Sequence, residues 1–161
     1  MADNVSGTLY GVGIGPGDPE LITLKALRIL KSVPVLAWPA PEEGPSLARE
    51  IVAGHLPGTQ REIPIRMPLL PARFPADDVY DKAAVEIGAA LDAGDDVAVI
   101  CEGDPFFYGS FMYLYGRLAA PGRCRRGRDH QGRAAFRPDP HRDRRSWPHR
   151  PCPLHRTRHD G

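Results

Sequence analysis

Paired cysteines, long apolar runs and a basic leader are all missing from this chain of 161 residues. Its three cysteines, Cys101, Cys124 and Cys152, form no CxxC pair and no even set, which disfavours a disulfide framework and a zinc site. That usage fits a reduced, cytoplasmic setting. No stretch reaches the roughly 18 apolar residues of a membrane-spanning helix, so no membrane segment is expected. The N-terminus lacks a basic start followed by an apolar core, so no secretory signal is expected. Histidine is nearly absent before residue 119. His55 stands alone there, beside Leu56-Pro57-Gly58, and reads as a surface residue rather than a metal ligand.

Acidic charge is scarce in one part of the chain and basic charge in the other. Met1 to Leu118 carries nine Lys and Arg against sixteen Asp and Glu, a net −7. Ala119 to Gly161 carries twelve against four, a net +8, together with five of the six histidines. That second stretch has almost no aliphatic residues. It cannot bury enough apolar surface to offset chain entropy, so residues 119–161 are expected to be disordered. Residues 1–118 are long enough for one domain with its own core.

What is present before residue 119 is an alternation of strands and helices. Thr8–Ile14 reads as a buried strand and Gly15–Pro19 as a loop. Asp18 is placed to cap a helix that runs from Glu20, with Leu21, Leu24, Leu27 and Leu30 at helical spacing. Val33–Trp38 is a second strand, Ser46–Ala53 a short helix and Arg61–Met67 a third strand. Asp78–Ala93 is amphipathic, with Val79, Ala83, Ile87 and Leu91 on one face, and Gly94 stops it. Asp96–Cys101 is a fourth strand and Ser110–Leu118 a fourth helix. The order predicts an α/β fold built on a parallel sheet with crossover helices.

Two loops carry the chemistry. Gly11-x-Gly13-x-Gly15-Pro16-Gly17-Asp18 brings bare backbone to the sheet edge. It differs from the dinucleotide fingerprint, because Pro16 separates its last two glycines and a helix start occupied by Asp18 repels a pyrophosphate. The charge suits a neutral or cationic ligand such as a sulfonium. A plain strand-to-helix turn is the competing reading. The second loop, Glu102-Gly103-Asp104-Pro105, follows a strand and precedes Phe106, Phe107, Tyr108 and Ser110. Asp104 could hold an amino group or a ribose, and the aromatics offer a face to adenine or a tetrapyrrole. Helix capping by Asp104 and burial of the aromatics is the structural alternative. Both loops are expected at the carboxyl edge of one sheet.

Together, the two loops resemble the tetrapyrrole methyltransferases. Members begin with a segment like Gly11–Leu30 and later carry a Gly-Asp-Pro-x-x-Tyr-Gly loop. The stretch from Cys101 to Leu114 looks most like the precorrin-2 branch, and the resemblance covers roughly Thr8 to Leu118. It implies a homodimeric, metal-free methyltransferase with two α/β domains. S-adenosylmethionine is the implied methyl donor and precorrin-2 (or a related tetrapyrrole) the implied substrate, methylated at C(20) during cobalamin synthesis. By the same resemblance Pro16, Glu102, Gly103 and Asp104 contact the methyl donor, with Phe107, Tyr108 and Ser110 near it. Asp18 faces the tetrapyrrole as a proton acceptor, and helix capping remains its alternative role. Arg61, Arg66 and Arg73 could meet the substrate's carboxylates or simply be solvated.

The chain departs from the family after Leu118, where a further strand and a second domain are expected. Reading the tail one base forward narrows several positions to one or two residues, and these agree with the family. Asp129-His130 and His130-Gln131 each give Thr or Ile, Gln131-Gly132 gives Lys or Arg, and Trp147-Pro148 gives Gly. This suggests an internal deletion near Ala119 with a shifted frame behind it. The competing readings are a basic arm for nucleic acid or other anions, a non-catalytic remnant, and an enzyme for another ring position. The arm is disfavoured because the tail lacks interleaved aromatics.

Overall fold

The computed structural model describes residues 7–68, 77–107 and 109–118, and the backbone of 124–128 and 134–138. Its centre is a four-stranded parallel sheet in the order β1-β4-β2-β3, from β1 (Leu9–Gly13), β2 (Val35–Pro41), β3 (Arg61–Met67) and β4 (Val97–Cys101). The register runs Leu9↔Val97 to Gly13↔Cys101, Val35↔Val97, and Val35↔Arg61 to Pro41↔Met67. The expected α/β architecture is the observed one.

Period-two alternation on the strands makes two cores. Val97 and Val99 face one side with Leu9, Val35, Ile63 and Ile65; α3 (Asp77–Asp92) and α4 (Ser110–Leu118) cover that face. Ala98 and Ile100 face the other with Val12, Leu36 and Trp38; α1 (Leu24–Ser32) and α2 (Leu47–Val52) cover it. Gly11 is required by this packing. A Cβ there would lie 2.5 Å from the Phe111 ring of α4. The start of β1 is tied down by Asp96, whose Oδ1 accepts from the Thr8 N–H at 2.6 Å.

The helix expected from Glu20 is two pieces. Asp18 caps a 3₁₀ turn at Pro19–Leu21, Ile22 and Thr23 are extended, and Thr23 then caps α1. The Thr23 hydroxyl accepts from the Ala26 N–H at 3.1 Å, which restarts the helix. The restart changes the buried face. Ala26 and Leu30 are buried, whereas Leu21 is 55% and Leu24 79% exposed. In α3 the inward residues include Tyr80 and Ala84 as well as the expected Ala83, Ile87 and Leu91.

Within the tail, β5 (Cys124–Arg128) and β6 (Ala134–Pro138) pair antiparallel, the pairing that a short local connection permits, and lie alongside β1 outside the main sheet. The rest of the tail expected to be disordered falls outside the described residues. No described helix is long and apolar enough to cross a membrane.

Candidate functional site

The chain leaves β1 toward α1 on one face of the sheet and leaves the neighbouring β4 toward α4 on the other. Adjacent strands whose connections part in opposite directions open a crevice at their carboxyl ends, the usual ligand position in open α/β sheets. Both glycine loops lie there, and they are joined. Ile14 N–H donates to Cys101 O at 3.0 Å, the last rung of the parallel ladder, and Gly103 N–H to Gly15 O at 3.0 Å, an antiparallel bridge beyond it. The bridge depends on left-handed backbone, with φ of 87° at Gly15 and 66° at Gly103.

The loop surfaces are open. Gly103 has nothing within 4 Å of where a Cβ would sit, so a flat group can reach its backbone. Pro16, Asp18 and Glu102 are exposed and Asp104 is half-buried. Asp18 does act as a cap: its Oδ1 accepts from the Glu20 N–H at 2.9 Å. Asp104 Oδ1 accepts from the Phe106 N–H at 2.8 Å, folding the loop on itself. Phe107 is 72% exposed, whereas Phe106 packs edge-on against Phe111 and Tyr115 at 5.3 and 5.1 Å. Tyr108 lies outside the described residues. Ser110, at the start of α4, accepts from the Tyr80 hydroxyl at 3.2 Å.

The structure therefore brings Pro16, Asp18, Glu102, Gly103, Asp104 and Phe107 onto two bridged loops, with Ser110 at the head of the helix that follows the second. Among the arginines considered, Arg61 is paired with Glu86 at 2.8 Å, and Arg66 donates to the carbonyls of Pro41 and Gly44. Arg73 lies outside the described residues. His55 ends a 3₁₀ turn after α2 and is half-buried. No group of three or more His, Cys, Asp or Glu able to hold a metal occurs among the described residues.

Two titrating groups below the loops are perturbed. Burial, then the nearby Glu102 and Asp104 carboxylates, push the Cys101 thiol up to about 12. Burial also raises the Tyr80 hydroxyl above its ordinary value. Sequence reasoning missed Tyr80. Its signal was only an aromatic on the inward face of α3, and its partner lies 30 residues away.

An open parallel sheet with two bridged, acidic glycine loops at its switch point defines a ligand-binding α/β domain. Residues 8–124 match the tetrapyrrole (corrin/porphyrin) methylases, and the chain belongs to that family. It is 42% identical over 121 residues to the precorrin-2 C(20)-methyltransferase of Sinorhizobium sp, covering 70% of this chain and 49% of that protein. It is 34% identical over 119 residues to the cobalt-precorrin-2 C(20)-methyltransferase of Salmonella typhimurium, covering 73% of this chain and 50% of that one. The uroporphyrin-III C-methyl transferase from Thermus thermophilus, solved with S-adenyl homocysteine, aligns with a TM-score of 0.51 at 28% identity. That match covers 72% of this chain and 41% of the other. The chain spans about half the length of the two curated methyltransferases it matches.

Proposed function

We propose that this domain belongs to an S-adenosylmethionine-dependent enzyme that methylates precorrin-2 at C(20) in cobalamin synthesis. The observation that carries the reading is the 3.0 Å bond from Gly103 N–H to Gly15 O, which merges the two loops into one surface. The choice of C(20) is supported by the identity to the Sinorhizobium and Salmonella proteins of that specificity.

The residues present fit a nucleoside carrying a sulfonium. Gly103 leaves its backbone bare, and the surrounding Asp18, Glu20, Glu102 and Asp104 offer negative charge to a positive sulfur and repel phosphate. Pro16, Glu102, Gly103 and Asp104 would hold the methyl donor, with Phe107, Tyr108 and Ser110 beside it. When bound, S-adenosylmethionine supplies an activated methyl group on positively charged sulfur. The chain's own contribution is alignment: fixed loops set the approach of the electron-rich carbon and lower the entropy cost of meeting it. Asp18 takes the proton that the methylated carbon must lose, through the carboxylate oxygen not engaged by the Glu20 N–H. The homodimer belongs to the same proposal, and sedimentation velocity of the full chain checks it.

Titration of the full chain with S-adenosylhomocysteine in a calorimeter tests the reading. Saturable micromolar binding is expected, weakened about tenfold or more by Asp104→Ala through loss of a charge-assisted contact. No heat and no ligand-induced rise in Tm would overturn it. For the tail we propose the deletion and shifted frame near Ala119. A stop codon in the forward-shifted frame of the gene would reject that proposal.

A further inference from the structure

The second loop hangs between two attachments. One is β4, which ends at the buried Cys101; the other is α4, which begins at Ser110. What fixes the α4 end is a side chain from another helix. Tyr80 of α3 is 1% exposed, and its hydroxyl donates to Ser110 Oγ at 3.2 Å. Its ring has little room to move, because it stacks on Tyr113 with centroids 4.9 Å apart and the Arg117 guanidinium lies 5.5 Å from its centre. Arg117 is in turn held by Asp77 and Asp81 at 2.7 and 2.6 Å. The clamp therefore places one hydroxyl group at a defined point against the first residue after the loop.

We propose that Tyr80 is a positioning residue for the methyl-donor loop and acts through Ser110. The inference rests on the assignment of the bridged loops as the methyl-donor site. By donating to Ser110 Oγ, Tyr80 selects the Ser110 rotamer and leaves the serine's own hydrogen free to donate. With α4 clamped at its first turn and β4 ending at Cys101, both attachments of the second loop are fixed. The loop's internal bonds, Phe106 N–H to Asp104 Oδ1 and Phe107 N–H to Asp104 O, then hold its inner turn in one geometry. The Arg117 ion pairs join the same helices but sit at the far end of α4, away from the loop.

Six forms of the full chain separate this role from ordinary packing: the parent, Tyr80→Phe, Ser110→Ala, Ser110→Thr, the double Tyr80→Phe/Ser110→Ala variant and Arg117→Ala. Tyr80→Phe keeps the stacked ring and removes only the hydroxyl. Amide exchange at residues 103–107, relative to β2 and β4, is expected to speed up about three- to tenfold in Tyr80→Phe and in Ser110→Ala, the loss of one hydrogen bond. The double variant is expected to add nothing to either single one, and Ser110→Thr to restore the parent rate. Affinity for S-adenosylhomocysteine is expected to fall by a similar factor in the same variants. Arg117→Ala takes away one contact of the Tyr80 ring but keeps its hydroxyl, so it is expected to lower Tm and to raise the ratio of loop to sheet exchange less than Tyr80→Phe does.

Unchanged loop exchange in Tyr80→Phe, or loop and sheet amides speeding up equally, would overturn the proposal. So would full additivity in the double variant. If the parent chain takes no S-adenosylhomocysteine, the methyl-donor reading falls by itself, and the exchange ratios still decide whether Tyr80 positions the loop.

Discussion

The two glycine loops share a sequence grammar and a place in the fold, yet they are held by different means. The first is secured through the backbone and one short cap from Asp18. It leaves β1, bonds to its neighbour through Gly15 O, and runs into a 3₁₀ turn that buries no residue. The second is secured by side chains: Pro105 is buried, Phe106 meets Phe111 and Tyr115, and Tyr80 grips Ser110. A segment with few buried apolar contacts opens locally at a lower free-energy cost than one rooted in a core. The pair therefore joins a compliant wall to a firm one across a single hydrogen-bonded seam.

The largest expected effect comes from removing the root of the firm wall. Phe111 is 1% exposed and lies against Gly11 of β1, so Phe111→Ala is expected to cost about 3–5 kcal/mol in urea unfolding. A smaller effect, about 1–2 kcal/mol for each, is expected from Gly15→Ala and Gly103→Ala, since both residues have positive φ. Gly15→Ala is expected to be the worse of the two, because its new Cβ would sit 3.3 Å from Leu21 O whereas Gly103 faces open space. Equal losses would mean that the first loop yields to relieve the contact. Asp18→Ala removes one cap and is expected to cost about 1 kcal/mol, with faster amide exchange in the first loop only. Acceleration in both loops would show that the seam transmits the change.

The smallest effect at neutral pH belongs to Cys101. Burial and two carboxylates raise its folded pKa from 9.0 to about 12, so the unfolded chain gives up its thiol proton first as pH rises. The stability due to the neutral thiol is fully present below pH 9 and is lost between there and about 12. Unfolding titrations at pH 8 and 10 check the sign; a Cys101→Ala variant is expected to lose the part of the pH slope that comes from this thiol. Iodoacetamide is expected to label the native thiol slowly at pH 8, since the reactive thiolate is rare.

Local pattern made much of this legible in advance. Arg61–Met67 and Ser110–Leu118 have the expected bounds, because turn residues and alternating or helical spacing bracket them on both sides. The interruption at Ile22–Thr23 escaped notice although Thr23 is a good N-cap, since four leucines at helical spacing masked it. Two of those leucines, Leu21 and Leu24, are exposed: hydrophobic period marks a face, and only the tertiary arrangement decides whether that face is covered. At the site, the residue types on each loop were readable from charge and glycine content. The bridge from Gly15 to Gly103 and the bond from Tyr80 to Ser110 join positions far apart in sequence, and no local pattern encodes them.

Among the described residues β3 is the outer strand of the main sheet, which carries one further consequence. Arg61 N–H points inward to Pro34 O, so alternate residues Glu62, Pro64 and Arg66 turn their backbone nitrogens outward. The middle one has no hydrogen to give, and its neighbours present opposite charges. A stray strand meeting that border would find a broken row of donors flanked by ions. The margin is thus guarded against templated sticking between copies during synthesis and storage, a protection set by one imino acid.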